Sequence, residues 1–249
     1  MAIRSRNIYK PDSEKPFKLS RSKVDNFISC KRCFYLDRRL GVGQPPGFPF
    51  NINSAIDELL KKEFDQYRKV GKPHPYMKPP YFEIERNLIP YQHEKLDEWR
   101  ENFKGVQFHH KDTNFILTGA VDDLWIDIDT EEIIVVDYKA TAKNSEVTID
   151  ADWQQGYRRQ MDFYQWLLRK NGLLVSNVGY FVYCNGDKQK PSFEEKVHFK
   201  ISVLKYEGDS NWIENTILNI KKLLDQDKIP EFTKGCDYCT YIQDTDSVV

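Results

Sequence analysis

Two carboxylates and an amine stand in an order that suits metal-assisted hydrolysis. Asp122 lies in the apolar run 117–128, and Asp137 ends a second run with Lys139 two residues later. Because side chains alternate along a strand, Asp137 and Lys139 emerge on one face and Tyr138 on the other. A divalent cation held by carboxylates lowers the pKa of water and stabilises charge on a phosphate. The pattern therefore predicts hydrolysis of phosphodiesters.

The strands that carry these groups are expected to form an antiparallel hairpin. The runs 117–128 and 133–136 are separated by the turn-forming residues 129–131. Two aspartates brought together there would repel each other unless a cation stood between them. The alternative is that Asp122 is solvated and Asp137 and Lys139 form an exposed ion pair worth little.

A predicted helix over 153–170 carries a second polar group. Gln160 and Tyr164 are four residues apart, so they share a helix face. Arg158 and Arg159 precede them and are our candidates for contacting a phosphate. Core packing is the alternative role for Tyr164.

The motifs Gly119-x-x-Asp122, Asp137-x-Lys139 and Gln160-xxx-Tyr164 together resemble the RecB-like branch of the PD-(D/E)XK nuclease superfamily. That branch includes the nuclease of CRISPR spacer acquisition and the nuclease domains of recombination helicases. The resemblance implies that Asp122 and Asp137 bind magnesium or manganese, and we expect the Tyr138 carbonyl to bind the same ion. The resemblance also implies that Lys139 orients the attacking water, while Gln160 and Tyr164 support the site and contact DNA.

One position departs from that family pattern. Many relatives have a metal-binding histidine on an early helix, and the best match here, residues 56–60, has Asp57 at that place. A carboxylate oxygen is a suitable ligand for magnesium. The alternative is an exposed acid on the polar side of a helix.

The cysteines predict a second metal centre. Two C-xx-C pairs, Cys30 with Cys33 and Cys236 with Cys239, supply four thiolates for zinc or a four-iron four-sulfur cluster. Two disulfides are disfavoured in a reducing cytosol. RecB-like relatives often carry an iron-sulfur cluster, so the resemblance favours iron-sulfur, with zinc as the alternative. The remaining cysteine, Cys184, lies in an apolar run and is expected to be a small buried hydrophobe.

Such a centre would join the two ends of the chain. Closing a loop of about 200 residues restricts the unfolded chain by roughly 5 kcal/mol. We therefore expect a structural role for this centre.

Composition limits the remaining possibilities. The chain has 249 residues, 40% hydrophobic, which is enough for one full core. We expect a flexible basic arm at 1–18 and a single nuclease domain at 19–249, in which 30–33 and 236–239 form the metal-cluster subdomain. The sequence shows no apolar run of membrane-spanning length and no secretion signal, which predicts a cytoplasmic protein without membrane contact. The net charge of −1 means that local basic clusters must carry any DNA contact.

The expected fold class is α/β. Helices are expected at 20–40, 53–68, 93–103, 153–170 and 211–224, and strands at 81–88, 178–183 and 197–206 in addition to the hairpin. These elements predict a PD-(D/E)XK-like core, with a mixed central sheet flanked by helices and the acids near one edge. A helical cysteine-bound subdomain would be formed by both termini.

The expected function is that of a divalent-metal-dependent DNA nuclease, an exonuclease on single-stranded or frayed ends. The expected partners are DNA ends and proteins of recombination, replication, DNA repair or CRISPR adaptation. Two alternatives stay open: a non-catalytic DNA-binding or assembly subunit that keeps the fold, and a sequence-specific endonuclease.

Overall fold

The structure, a computed structural model, describes residues 5–45, 47, 51–82 and 86–248. The strands within these ranges are β1 (Phe17–Ser20), β2 (Leu88–Pro90), β3 (Val106–His110), β4 (Phe115–Gly119), β5 (Asp123–Asp127), β6 (Ile133–Thr141), β7 (Val178–Gly186) and β8 (Phe199–Glu207). The α-helices are α1 (Arg21–Ser29), α2 (Lys31–Arg39), α3 (Asn51–Val70), α4 (Leu96–Arg100), α5 (Gln155–Lys170), α6 (Asn211–Leu224) and α7 (Asp237–Val248). The predicted α/β class is confirmed.

The chain comprises two compact units, and the single nuclease domain expected at 19–249 stays a prediction. The first comprises Met1–Phe48, Gln107–Thr118 and Asn211–Val249, and the second comprises Pro49–Val106 and Gly119–Ser210. In the described part of the chain, no helix combines the length and the apolar character that a bilayer crossing requires.

The second unit is built on a five-stranded sheet in the order β2-β5-β6-β7-β8. β6 pairs antiparallel with β5 and parallel with β7, so the sheet is mixed as predicted. Because β6 is central, its first residues are buried on both faces and are aliphatic without interruption. Helix α3 packs on the face that presents Ile134, Val136 and Tyr138. Its Phe64 ring stacks on Trp125 of β5 at 5.6 Å.

The predicted hairpin is formed by β5 and β6, with Asp123 opposite Val136. The apolar run that we expected as one strand is divided into β4 and β5. β4 pairs with β1 in a three-stranded sheet, whereas β5 pairs with β2 and β6, so the chain must change sheets between them. Asp122 lies at this change, one residue before β5.

The first unit contains a second difference. The predicted helix 20–40 is two helices, α1 and α2, because Cys30 between them has an extended backbone with φ −158° and ψ 106°. Its sulfur accepts a hydrogen bond of 3.4 Å from the backbone N–H of Cys33 and caps α2. The break therefore places both sulfurs of the pair at one helix start.

The segment expected as a flexible arm packs on the first unit from Tyr9 onward. The Tyr9 hydroxyl donates to Asp225 Oδ1 at 2.5 Å, and its ring contacts Phe17 edge-on at 5.3 Å. The aromatic ring anchors a stretch whose composition is otherwise polar. Residues 1–4 of this arm lie outside the described residues.

The other predicted helices and strands are present with changed ends, whereas β1, β3 and α7 were not predicted. α3 is longer than predicted, α4 is shorter, and α6 has the predicted bounds. Of the strand expected at 81–88, β2 begins only at Leu88, and residues 83–85 lie outside the described residues. A 3-10 turn at Asp152–Gln154 precedes α5.

Candidate active site and cysteine cluster

β6 presents Asp137 and Lys139 on the face toward α5. Asp137 is fully buried, and its Oδ1 accepts a hydrogen bond of 2.8 Å from Gln160 Nε2. Its Oδ2 forms an ion pair with the Lys139 ammonium. A buried carboxylate of this kind requires a nearby positive charge.

Asp122 faces the same group from the end of the hairpin. Its Oδ2 accepts a hydrogen bond of 2.9 Å from the backbone N–H of Tyr138. The pKa of Asp137 is raised to about 7, first by burial and further by Asp122, against the opposing effect of Lys139. Burial lowers the pKa of Lys139, but Asp137 and Asp122 raise it above its usual value. The two carboxylates and the ammonium are therefore electrostatically coupled.

Gln160 and Tyr164 on α5 complete this group. Gln160 Nε2 lies 3.1 Å from the Tyr164 hydroxyl, so one amide connects Tyr164 to Asp137. The Tyr164 ring lies against the backbone of Gly119, where an added Cβ would be 2.7 Å from the ring atom Cε1. The glycine of the Gly119-x-x-Asp122 motif is thus required for space beside the tyrosine.

Asp57 on α3 reaches the same group of charges. Its pKa is raised by burial and by Asp122, while Lys61 and Lys139 lower it. Lys61 Nζ lies 2.7 Å from Asp57 Oδ2 and 3.9 Å from Asp122 Oδ1. Asp57 Oδ1 is buried and has no hydrogen-bond partner among the described residues. The structure thus brings Asp57 to the other acids, with Lys61 one helical turn away.

A buried ionic network behind the site was missed from the sequence. Asp123 is fully buried and accepts hydrogen bonds from Arg68, from Arg100 Nη2 at 2.6 Å and from the Tyr138 hydroxyl at 2.7 Å. Asp65 joins Arg68 and Arg100 from the other side. The spacing of Asp65 and Arg68 on one helix was the available signal. It is weak, because such pairs are common on solvated helices.

The two arginines proposed for phosphate contact lie at the start of α5 and are half-buried. Arg158 Nη1 donates to the carbonyl oxygens of Ile149, at 2.5 Å, and Ala151, so it holds the loop before the helix. Arg159 Nη1 donates to Gln155 Oε1 at 3.4 Å. Contact of either with DNA stays a prediction.

The cysteines form one cluster in the first unit. The Sγ atoms of Cys30 and Cys239 are 3.6 Å apart, and those of Cys33 and Cys236 are 3.7 Å apart. The four sulfur atoms lie within 4.8 Å of one another. Among the described residues, the carboxylate oxygens of Asp57, Asp122 and Asp137 are not all this close together. The thiols are free, so the structure contains no disulfide between them.

The surroundings of the cysteine cluster favour the thiolate form of Cys30. Burial raises the pKa of Cys30, but its hydrogen bonds with the Thr233 hydroxyl and with Cys33 bring it down to about 7. The cluster can hold a thiophilic metal ion or an iron-sulfur cluster. Cys184 lies apart from it in the apolar core of the second unit, as predicted.

One comparison with known proteins identifies a family for this chain. A family model described as PD-(D/E)XK nuclease superfamily matches residues 18–243. A solved structure titled "Crystal structure of SSO0001" is 12% identical, with 93% of this chain and 86% of that chain covered and a TM-score of 0.37. No curated protein matched the chain.

Proposed function

Since the chain belongs to the PD-(D/E)XK nuclease superfamily, whose members are usually metal-dependent nucleases, we propose that it is a divalent-metal-dependent DNA nuclease of the RecB-like branch. We further propose that it acts as an exonuclease on single-stranded or frayed ends. One observation carries the proposal: Asp137 is fully buried, fixed through one oxygen by Gln160, and paired through the other with Lys139 beside Asp122.

The oxygen donors of the site are of the chemical type that magnesium and manganese ions bind. Asp57 Oδ1 is a buried oxygen without a hydrogen-bond partner among the described residues, and Asp137 Oδ2 is buried against the Lys139 ammonium. Hard cations prefer carboxylate and carbonyl oxygens. We assign the ion to Asp122, Asp137 and the Tyr138 carbonyl, with Asp57 in place of the usual histidine. Such an ion, when bound, lowers the pKa of water and stabilises the negative charge that grows on the phosphate.

The remaining side chains position the reacting groups. Lys139 pairs with Asp137. If a bound cation balanced the charge of Asp137, the Lys139 ammonium would be free to orient a water molecule and stabilise a phosphate oxygen. Gln160 holds Asp137 Oδ1 in one orientation. Tyr164 in turn holds Gln160, and both are nearly inaccessible to solvent. Arg158 and Arg159 would lie beside the DNA backbone.

For the cysteine cluster we propose one structural metal centre. Zinc bound at about 2.3 Å by four thiolates places the sulfurs about 3.8 Å apart. The two measured separations of 3.6 and 3.7 Å are close to this value. Because a four-iron cluster must hold its thiolates further apart than a single ion does, the distances favour zinc over the iron-sulfur cluster favoured by the family resemblance.

Digestion of end-labelled DNA tests the activity. We expect the wild-type protein to shorten single-stranded DNA with manganese or magnesium and to be inactive with a chelator. Asp137→Ala should abolish cleavage, because it removes a metal ligand and the partner of Lys139. Asp187→Ala, an exposed aspartate of the same unit, should keep full activity. Metal-dependent cleavage at the wild-type rate by Asp137→Ala would refute the assignment.

Two further substrates separate the alternatives. An exonuclease leaves closed circular duplex DNA intact, whereas a sequence-specific endonuclease yields discrete fragments. DNA binding without cleavage under every metal condition would indicate a non-catalytic subunit, for which the aspartate at position 57 is the supporting observation. Partners among recombination, replication, repair or CRISPR-adaptation proteins, and a cytoplasmic location, belong to the same proposal.

A further inference from the structure

A row of two aromatic rings with an ammonium group at each end begins at Lys139. Lys139 Nζ lies 4.8 Å from the centroid of the Tyr157 ring. Tyr157 meets Trp153 edge-on, with centroids 5.9 Å apart. Lys143 Nζ then lies 4.6 Å from the centroid of the Trp153 ring. Both cations are within the ~6 Å at which a ring attracts them.

The backbone beneath this row is held in place. Asn185 of β7 accepts a hydrogen bond of 2.8 Å from Lys143 N and donates one of 3.0 Å to Lys143 O. Gln154 is fully buried next to Trp153, and its Nε2 donates to Tyr183 Oη at 3.2 Å. The 3-10 turn that carries Trp153 is therefore tied to the strand beside β6.

Trp153 itself is 61% exposed on this fixed backbone. Single exposed aromatic residues are common and need no explanation. Trp153 differs because it contacts Tyr157, and the Tyr157 ring contacts the Lys139 ammonium that we assign to the reaction. A rigid exposed ring beside cations is the arrangement by which proteins stack bases of single-stranded nucleic acid.

We propose that Trp153 and Tyr157 form a stacking platform for unpaired bases of a single-stranded DNA segment whose scissile phosphate lies at Lys139. This inference rests on the proposed function and adds the surface by which the substrate is bound. Lys143 would contact a phosphate of the same segment. A base inside a duplex is already stacked on both sides, so only an unpaired base can occupy the exposed indole face.

Charge near the platform is mixed. The loop between β6 and the 3-10 turn also carries the exposed acids Glu146 and Asp150, and Asp152 adjoins Trp153. These acids offset the lysines, so base stacking rather than charge should dominate the affinity. Loss of Trp153 should then weaken binding by about the same factor at low and at raised salt.

Binding of fluorescein-labelled oligothymidylate, measured by anisotropy with a chelator present, tests the platform without any cleavage. We expect Trp153→Ala to weaken binding about tenfold, within the range known for base stacking, and Trp153→Phe to retain most of the affinity. Binding of a blunt hairpin duplex should change less than about twofold. Phe103→Ala, which removes another highly exposed aromatic side chain of the same unit, is the matched control.

Tryptophan fluorescence gives a second readout on the wild-type protein. Oligothymidylate should quench part of the emission, and this part should be missing in Trp153→Phe, which keeps the other four of the five tryptophans. Because this comparison does not use the alanine variant, it decides the question even if Trp153→Ala fails to fold.

Unchanged oligothymidylate affinity in Trp153→Ala, or equal weakening for duplex and single strand, would overturn the platform. Identical quenching in wild type and Trp153→Phe would do the same. These outcomes leave the nuclease assignment intact if the protein still cleaves. Conversely, Trp153-dependent binding without cleavage under any metal condition would overturn the assigned activity and preserve the binding surface.

Discussion

The Tyr138 hydroxyl donates a hydrogen bond of 2.7 Å to Asp123 Oδ2 on the side of β6 opposite Asp137. Tyr138 is the residue between Asp137 and Lys139, so anchoring its ring on one face fixes the two reactive side chains on the other. Its backbone N–H meanwhile donates to Asp122. One residue thus connects the buried network to both proposed metal-binding acids.

The first prediction concerns stability of that network. Asp123→Ala leaves the guanidinium groups of Arg68 and Arg100 without their fully buried partner, and should lower the free energy of unfolding by about 3–5 kcal/mol. Tyr138→Phe removes a single hydrogen bond and should cost about 1 kcal/mol. Urea unfolding followed by circular dichroism measures both.

A surface pair provides the control for this series. Asp227, which pairs with Arg39 at 3.1 Å, has a side chain 94% exposed, so Asp227→Ala should change stability by less than about 1 kcal/mol. Similar losses for Asp123→Ala and Asp227→Ala would show that the network contributes little.

The second prediction concerns the space beside Tyr164. Gly119→Ala places a methyl group against the ring, so the ring must move and pull Gln160 away from Asp137. Overpacking of this kind costs about 1–3 kcal/mol, and kcat should fall at least about tenfold if that cost falls on the reacting geometry. Steady-state cleavage measures it. Gly47→Ala, where no atom of the described residues beyond its chain neighbours lies within 4 Å of the new carbon, should behave as wild type.

A compensating substitution distinguishes crowding from general damage. Tyr164→Leu in the Gly119→Ala background removes the ring and should restore much of the lost stability. It should not restore activity, because the hydroxyl that holds Gln160 is absent. Additive stability losses in the double variant would contradict direct contact between positions 119 and 164.

The third prediction concerns Asp57 as a metal ligand. Asp57→Ala should raise the manganese concentration needed for half-maximal cleavage about tenfold or more, with a smaller effect at saturating metal. Asp57→His should recover activity with manganese better than with magnesium, because imidazole suits the softer ion. Metal titration of the cleavage rate measures both.

The neighbouring residue gives a matched control. Glu58 is on the same helix turn, carries the same charge, and pairs with Lys62 in solvent. Glu58→Ala should leave the metal requirement within about twofold, since screened surface charges act weakly. Equal effects of the two alanine variants would show that Asp57 acts only through general charge.

The fourth prediction concerns the metal of the cysteine cluster. Protein purified anaerobically should be colourless and contain one equivalent of zinc, whereas broad absorption near about 400 nm with iron would establish an iron-sulfur cluster. Cys236→Ser should lose the metal and lower the Tm. Cys184→Ala removes a buried thiol that is not part of the cysteine cluster, so the metal content should stay unchanged.

The sequence determined the local features of the site. Asp137 and Lys139 share a face because alternation along a strand is a property of the backbone alone. The pairing of Gln160 with Tyr164 follows in the same way from helix geometry. The helix Asn211–Leu224 was bounded correctly because its apolar residues recur with helical period. The two C-xx-C spacings were sufficient to predict that the four cysteines form one cluster.

Tertiary structure decided which segments distant in the sequence pair as strands and which distant side chains come into contact. The apolar run at 117–128 is divided between two sheets. Its first part pairs with β1 and its second part with β2, and both partners are distant in the sequence. Asp123 is adjacent to Asp122 in the sequence, and only the packing of Arg68 and Arg100 against it places it in a buried ionic network. The row from Lys139 to Trp153 joins a strand, a turn and a helix, and no periodicity links those positions. Local spacing fixes which side chains share a face, whereas burial and charge pairing between distant segments follow only from how those segments pack.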